Sequence, residues 1–182
     1  MTCIVGYVEN SKVYIGGDSA GVDPYRFHIQ SRNDEKVFTN GEMIFGFTTS
    51  FRMGQLLRYK FVLPDHDPRH EDLKYLCSDF MDAVLKCFKD NEYAIVKEGV
   101  AQGGTFLIGY RGHLYQIQDD FQVSSIKTPF DAVGCGDAFA LGAMRILCEN
   151  PKMSPEEKVT KALQVAEEMS AGVAGPFNVV SI

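Results

Sequence analysis

Short apolar runs separated by polar turns fill the first fifty positions of the chain. Ile4-Val5-Gly6-Tyr7-Val8 and Val13-Tyr14-Ile15 flank Glu9-Asn10-Ser11-Lys12, a pattern that predicts an antiparallel hairpin. With Asn10 and Ser11 as the turn, Thr2 falls opposite Ser19 and Cys3 opposite Asp18. Ser19 to Pro24 reads as a loop, and a short strand is expected around Phe27-His28-Ile29. Asp34 to Phe38 and Met43 to Phe47 flank Asn40-Gly41, two residues that tolerate positive φ, and so predict a second hairpin that carries Lys36. From Thr49 the period lengthens. Phe51, Leu56, Leu57 and Tyr59 or Phe61 fit a helix that stops before Pro64. After a loop from Pro64 to Arg69, a longer helix is expected from about His70 to Asn91. Its apolar stripe is Leu73, Leu76, Cys77, Phe80, Val84, Leu85 and Phe88.

The second half repeats the alternation. Thr105 to Tyr110 and His113 to Ile117 predict a third hairpin around Arg111-Gly112, with short extended pieces near Phe121–Val123 and Phe130–Val133. Gly136 to Glu149 reads as a helix. Ser154-Pro155-Glu156-Glu157 is a capping box with Pro at the first helical position, so a last helix starts there, lined by Val159, Ala162, Leu163, Ala166 and Met169 or Ser170. The chain closes on an apolar strand, Phe177 to Ile182. Strand hairpins separated by helix pairs argue against a regular parallel βαβ sheet. Two antiparallel sheets packed face to face, with a helix pair outside each, would bury every stripe. The expected fold is therefore α+β, a four-layer α/β/β/α sandwich forming one domain over 1–182.

Composition narrows the function classes. The 182 residues carry a formal net charge of −6, which argues against a general nucleic-acid binder. The five cysteines, Cys3, Cys77, Cys87, Cys135 and Cys148, are scattered and contain no CxxC pair, as expected of reduced thiols in a cytoplasmic protein rather than of a disulfide framework or a zinc site. No apolar run is long enough to span a membrane, and the N-terminus lacks the basic region of a signal peptide. No metal and no cofactor are expected.

The candidate chemistry lies at the start. Met1 before a small residue is normally trimmed, which would leave Thr2 as a free N-terminus. Such a residue carries a hydroxyl nucleophile together with its own base, an α-amine of pKa about 7.7–8.0. The first hairpin brings it beside Asp18.

With these residues in hand, the chain resembles the proteasome β-subunit and HslV-type branch of the N-terminal nucleophile hydrolases. The opening Met1-Thr2-Cys3-Ile4-Val5-Gly6, followed by Val13-Tyr14-Ile15-Gly16-Gly17-Asp18, is similar to the family's start, and Asp18 falls at its active-site Asp. Glu35-Lys36-Val37 falls at the active-site lysine. Val133-Gly134-Cys135-Gly136 resembles the Gly-Ser-Gly helix entry, and Ser170-Ala171-Gly172 the late Ser-Gly element. The resemblance implies a threonine endopeptidase acting through an acyl-enzyme on Thr2, supported by Asp18, Lys36, Cys135, Glu167 and Ser170. Gly46, Phe47 and Thr49 would line the oxyanion and substrate pocket. It also implies homo-oligomeric, stacked rings, peptide or unfolded-protein substrates and an unfolding ATPase as partner. The chain departs from the family in four ways. Thr49 replaces the oxyanion glycine, Cys135 a serine, and Glu167 or Glu168 an aspartate. Met1 precedes the nucleophile, and while it stays the subunit is blocked.

Three other readings compete. Thr128 to Ala140 also resembles the anion-hole turn of ribokinase-type kinases, with Asp137 as base. Cys3 could serve as a cysteine nucleophile only if it were terminal. A ring-building subunit that keeps Met1 would be inactive. His66 and His70 stand four apart, but Pro68 interrupts the face they would share, so a solvated loop is expected there.

Overall fold

The computed structural model describes residues 1–23, 25, 28–97 and 100–182. Pro24 of the expected loop and Phe27 of the expected short strand lie outside the described residues.

The first hairpin forms as the sequence predicts. β1 (Cys3–Glu9) pairs with β2 (Lys12–Gly17), with Ile4 opposite Gly17 and Glu9 opposite Lys12. Asn10 and Ser11 both take positive φ, 53° and 60°, the turn whose twist matches the strands. β2 also pairs with β13 (Asn178–Ser181), and β1 with β12 (Phe130–Gly134), which completes a four-stranded sheet in the order β12-β1-β2-β13. The second sheet runs β11-β10-β9-β6-β5, built from β5 (Val37–Asn40), β6 (Met43–Phe47), β9 (Phe106–Tyr110), β10 (His113–Ile117) and β11 (Val123–Ser125). Every pairing in both sheets is antiparallel. Among the described residues there is therefore no parallel sheet of the kind the kinase reading needs.

Three apolar cores separate four layers. Ile4, Val13, Ile15, Val37, Ile44, Leu107, Leu114 and Val133 fill the space between the sheets. Outside the five-stranded sheet, Phe45, Phe47 and Phe106 meet Leu56 and Leu57 of α1 (Phe51–Tyr59) and Val84 and Phe88 of α3 (Met81–Asp90). Outside the four-stranded sheet, Cys3, Val5 and Tyr7 meet α4 (Asp137–Leu147) and α5 (Pro155–Met169) through Ala140, Met144, Val159 and Leu163. The architecture is the expected four-layer sandwich. Alternation along β1 sends Ile4 inward and Cys3, Val5 and Tyr7 toward the helices. A slip of one residue would exchange the two sets, and each fully buried aliphatic side chain is worth roughly 1.5–3 kcal/mol, so the register is strongly specified. Among the described residues, no helix is long and apolar enough to cross a membrane.

The structure differs from expectation in four places. First, Ala20–Asp23 and His28–Ser31 form an extra hairpin, β3 and β4, where the sequence suggested a loop and a brief strand. A further small hairpin joins β7 (Ile95–Lys97) to β8 (Val100–Gln102). Second, the turn after β5 is Gly41–Glu42, one residue beyond Asn40-Gly41. Asn40 stays in the ladder opposite Met43, and its side-chain amide donates to Leu57 O and Phe61 O, both at 3.1 Å, at the end of α1.

Third, the helix expected over His70 to Asn91 runs as α2 (Asp72–Tyr75), a π-helical turn (Leu76–Phe80) and α3. A π turn holds one residue more than an α turn and rotates what precedes it. Tyr75 and Leu76 therefore face the core, while Leu73 and Cys77 are exposed. Fourth, Met169 is exposed at the end of α5 instead of lining it. The Ser154 capping box is present as read, with Ser154 Oγ accepting from Glu157 N and Ser154 N donating to the Glu157 carboxylate.

Candidate active site

The β1–β2 register places Cys3 beside Asp18, and the Asp18 carboxylate organises everything near Thr2. Its Oδ1 accepts from Cys3 N at 2.8 Å, and its Oδ2 from Ala20 N at 2.9 Å and from Lys36 Nζ at 2.9 Å. Lys36 Nζ also donates to Ala20 O at 2.7 Å. Lys36 directly precedes β5, and its carbonyl accepts from Phe47 N at 3.1 Å. That bond ties the lysine to the strand leading into the cleft. Both side chains of the pair are almost wholly shielded from solvent, 1% and 0% exposed. Burial pulls the Lys36 pKa below the usual lysine value, and the charge and hydrogen bond of Asp18 oppose that pull. Burial, reinforced by the Asp18 charge, drives the Cys3 thiol up to about 12. Cys3 is a core residue at 0% exposure and not a nucleophile in waiting.

Thr2 is buried, and its hydroxyl donates to Met1 O at 2.6 Å. Its carbonyl accepts from Cys135 N at 2.8 Å. This close approach requires Gly134, which has a φ of 116° and whose missing Cβ would lie 2.0 Å from Thr2 O. Cys135 is exposed, and Ser170 Oγ lies 3.3 Å from its carbonyl and 3.6 Å from its sulfur. Met1 packs over Gly172, where a Cβ would sit 2.4 Å from Met1 Cβ and 2.8 Å from Cys135 Sγ. The terminus, Cys135, Ser170 and Gly172 are therefore one cluster. Glu167 stands apart from it. Its carboxylate accepts from Gly175 N at 2.9 Å and so fastens the segment whose Ala174 O accepts from Ser19 N.

Opposite Thr2 the cleft wall is the end of β6 and the start of α1. Met1, Thr2, Val22, Phe47, Thr49 and Phe51 are among the residues lining a cleft of ≈ 70 Å³. Thr49 takes a φ of 62°, a left-handed conformation that a β-branched residue rarely adopts. Its hydroxyl accepts from Thr105 N at 3.3 Å and lies 3.2 Å from Thr48 Oγ1. Its own N–H has no hydrogen-bond partner among the described residues. The neighbouring Thr48 N donates to Thr105 O, and Ser50 N to Thr48 O. Ser50 caps α1 by accepting from Arg52 N and Met53 N. Phe47 lies flat on α1, where a Cβ on Gly54 would come 2.1 Å from its ring. Gly46 faces the inter-sheet core instead of the cleft, since a Cβ there would come 2.5 Å from Ile4 and 2.8 Å from Ile15.

Thr2, Asp18, Lys36, Cys135, Ser170, Phe47 and Thr49 thus converge on one end of the sandwich. Sequence reading missed Phe51 and Val22 as cleft residues. Phe51 was visible only as an apolar helix residue, although a phenylalanine directly after a serine cap starts a helix at a loop, where clefts form. The loop expected to be solvated at His66 and His70 instead buries His66, whose side chain is 2% exposed, while His70 Nδ1 has no hydrogen-bond partner among the described residues. His66 Nδ1 lies 2.7 Å from Tyr110 OH and Nε2 lies 2.9 Å from His70 O, with the ring stacked on Tyr75 at 4.3 Å.

No protein-family model matches the chain. It is 27% identical over 168 residues to the ATP-dependent protease subunit HslV of Caldicellulosiruptor saccharolyticus, covering 91% of this chain and 89% of that protein. Among solved structures, it superimposes on BPH of Thiobacillus denitrificans in complex with epoxomicin with a TM-score of 0.82 at 18% identity, over 100% of this chain and 98% of the other. HslV from Trypanosoma brucei gives a TM-score of 0.70 at 16% identity over 99% and 98%.

Proposed function

From a chain that folds as the proteasome-like, HslV-type N-terminal nucleophile hydrolases do, we propose a protease subunit whose nucleophile is the Thr2 hydroxyl. The nucleophile is released when the bond between Met1 and Thr2 is cut. The observation that carries this reading is the Asp18 carboxylate, which bridges the backbone next to Thr2 and the buried Lys36 ammonium, while Thr2 itself lines a cleft.

In the reaction, the freed α-amine takes the proton from Thr2 Oγ, directly or through water. The oxygen attacks the peptide carbonyl, the amine product leaves with a proton, and water hydrolyses the Thr2 ester to return the enzyme. The Lys36 charge favours the hydroxyl's anionic form, and Asp18 fixes the lysine. The N–H of Thr49, without a partner among the described residues, is the donor for the oxyanion in this reading, a role whose loss costs about 10²–10³ in rate. Cys135 N and Ser170 support the terminus and its amine. Substrates are peptides or unfolded protein. The name of the curated relative supports assembly with an ATP-driven partner, and closed stacked rings of identical subunits in the cytoplasm complete the reading.

One feature favours a second reading. Met1 is packed on Gly172, and its carbonyl holds the Thr2 hydroxyl. A subunit that keeps this residue has its base locked in an amide and builds a ring without cleaving. Intact mass of the assembled protein, before and after treatment with a peptide epoxyketone, separates the two. Loss of Met1 with one adduct per chain supports the hydrolase, and the Thr2→Ala variant takes no adduct and hydrolyses nothing. A chain that keeps Met1 and takes no adduct overturns the hydrolase in favour of the blocked subunit.

A further inference from the structure

The connection between α1 and α2 buries a histidine that the proposed reaction does not use. The His66 ring lies flat on Tyr75, with planes at 9°, and both of its nitrogens are engaged. Nε2 is 2.9 Å from His70 O. A carbonyl only accepts, so Nε2 carries a proton. In the neutral ring Nδ1 is then bare and accepts from Tyr110 OH at 2.7 Å. The same hydroxyl lies 3.3 Å from Glu42 Oε1, in the turn between β5 and β6. Tyr110 therefore has one proton and two acceptors, one on either side. Burial, reinforced by the Glu42 charge, pushes the Tyr110 phenol up to about 12, so that proton stays on the oxygen near neutral pH.

We propose that His66, Tyr110 and Glu42 form a proton-operated hydrogen-bond switch. With the ring neutral, the phenol donates to Nδ1, and Glu42 goes without its proton. When Nδ1 takes a proton from solvent, the new N–H donates to the phenol oxygen, and the hydroxyl turns its own proton to the Glu42 carboxylate. One proton is taken up and two hydrogen bonds change direction. The bonded chain then runs unbroken from His70 O through His66 and Tyr110 to Glu42, joining the α1–α2 connection to β9 and the β5–β6 turn. The surroundings suit the charged ring. Asp72 Oδ1 of α2 lies 3.8 Å from Nδ1, although Arg111 shares that oxygen at 3.0 Å. Asp67, in the same connection, is engaged by Arg69. His70 Nδ1 is 3.9 Å from Asp79 of the π turn. Tyr75 OH is committed to Pro64 O at 2.7 Å and takes no part. The switch lies beyond the C-terminal end of α1, whereas the N-terminal residue of that helix, Phe51, lines the Thr2 cleft. The proposal does not depend on the peptidase reading.

The test is solid-state ¹⁵N NMR of the assembled full-length protein with labelled histidine, the His66 signal being assigned by its through-space contact with the Tyr75 ring. At about pH 8 the expected form carries its proton on Nε2 and none on Nδ1; at about pH 5 both nitrogens carry one. A proton on Nδ1 at about pH 8 overturns the switch, and so does a ring that is still neutral at about pH 5. Glu42→Gln keeps an acceptor for the phenol and removes the charge, whereas Glu42→Leu removes both. Glu42 is exposed, so both variants should fold. The pH at which Nδ1 gains its proton should fall in each, and by about half a pH unit or more in Glu42→Leu, a nearby carboxylate's effect discounted for solvent screening. A Glu42 that merely decorates the turn would leave that pH unmoved, and an unmoved value in Glu42→Leu overturns the proposal.

Discussion

Replacing Lys36 by methionine removes one half of a buried ion pair and keeps the volume. In the wild type the Asp18 carboxylate accepts from Cys3 N, Ala20 N and Lys36 Nζ. In Lys36→Met it keeps the two backbone donors and loses the only cation within bonding distance among the described residues, while staying 0% exposed. Water cannot screen the charge left behind, so the discount that applies to surface pairs does not apply here. An uncompensated buried charge costs about 3–5 kcal/mol. A protein of this size loses about 2–4 °C of melting temperature per kcal/mol, which gives a drop of about 6–20 °C by circular dichroism. The pair is coupled, so Asp18→Asn with Lys36→Met should cost less than the two single changes together, by about 0.5–3 kcal/mol.

The pH dependence follows from the lowered Lys36 pKa. The folded chain releases this proton at a lower pH than the unfolded chain, whose lysine titrates near 10.5. Between the two values the unfolded state binds more protons, so the contribution of Lys36 to stability rises with pH across that window. The stability gap between wild type and Lys36→Met should widen as pH climbs toward 10.5. A Lys36→Met protein that melts within 2 °C of wild type, or single and double variants that simply add, would refute the desolvated pair. Peptide turnover by Lys36→Met at wild-type rate would remove the lysine from catalysis.

Two further outcomes follow from the site. Gly134→Ala puts a methyl group 2.0 Å from Thr2 O at a φ of 116°, so it should cost more than about 1 kcal/mol and displace the nucleophile; a variant with wild-type melting temperature and activity contradicts the close approach. At pH 8 a soluble alkylating reagent should label the exposed Cys77 and Cys135 and spare Cys3, whose thiol stays protonated until about pH 12; early modification of Cys3, read by peptide mass mapping, contradicts its burial.

Much of the frame was legible in the sequence because it rests on local rules. Asn10-Ser11 fixes a two-residue turn, and that turn alone sets every pairing of β1 with β2, including the meeting of Cys3 with Asp18. Arg111-Gly112 does the same for β9 and β10, with φ of 46° and 78°. Ser154 and Glu157 start α5 wherever the rest of the chain lies. The alternating strands and amphipathic helices then leave one way to bury every stripe, which is the four-layer sandwich. Thr2 and Asp18 could be brought together in advance because the first hairpin pairs their strands, whereas Lys36 was named on the family resemblance.

The remainder depended on partners distant in the chain. Asn40 leaves the turn position to bond carbonyls at the end of α1, a contact no local pattern contains. The π turn at Leu76–Phe80 trades helix regularity for burial of Tyr75 and Leu76, and only the packed sheet shows that this exchange is favourable. Thr49 holds a left-handed conformation while its hydroxyl accepts from Thr105 N, fifty-six residues away and just before β9. Phe51 looks like an ordinary core residue until Arg32, from the β4–β5 connection, is laid over its ring. The sequence by itself determined the strands and helices of the four layers, their order and the register of the hairpins at Asn10-Ser11 and Arg111-Gly112, since backbone sterics and the alternation of apolar side chains act over a few residues. Only the tertiary structure decided the shape of the cleft, because a cavity is defined by side chains from separate elements, and its volume is what their packing leaves over.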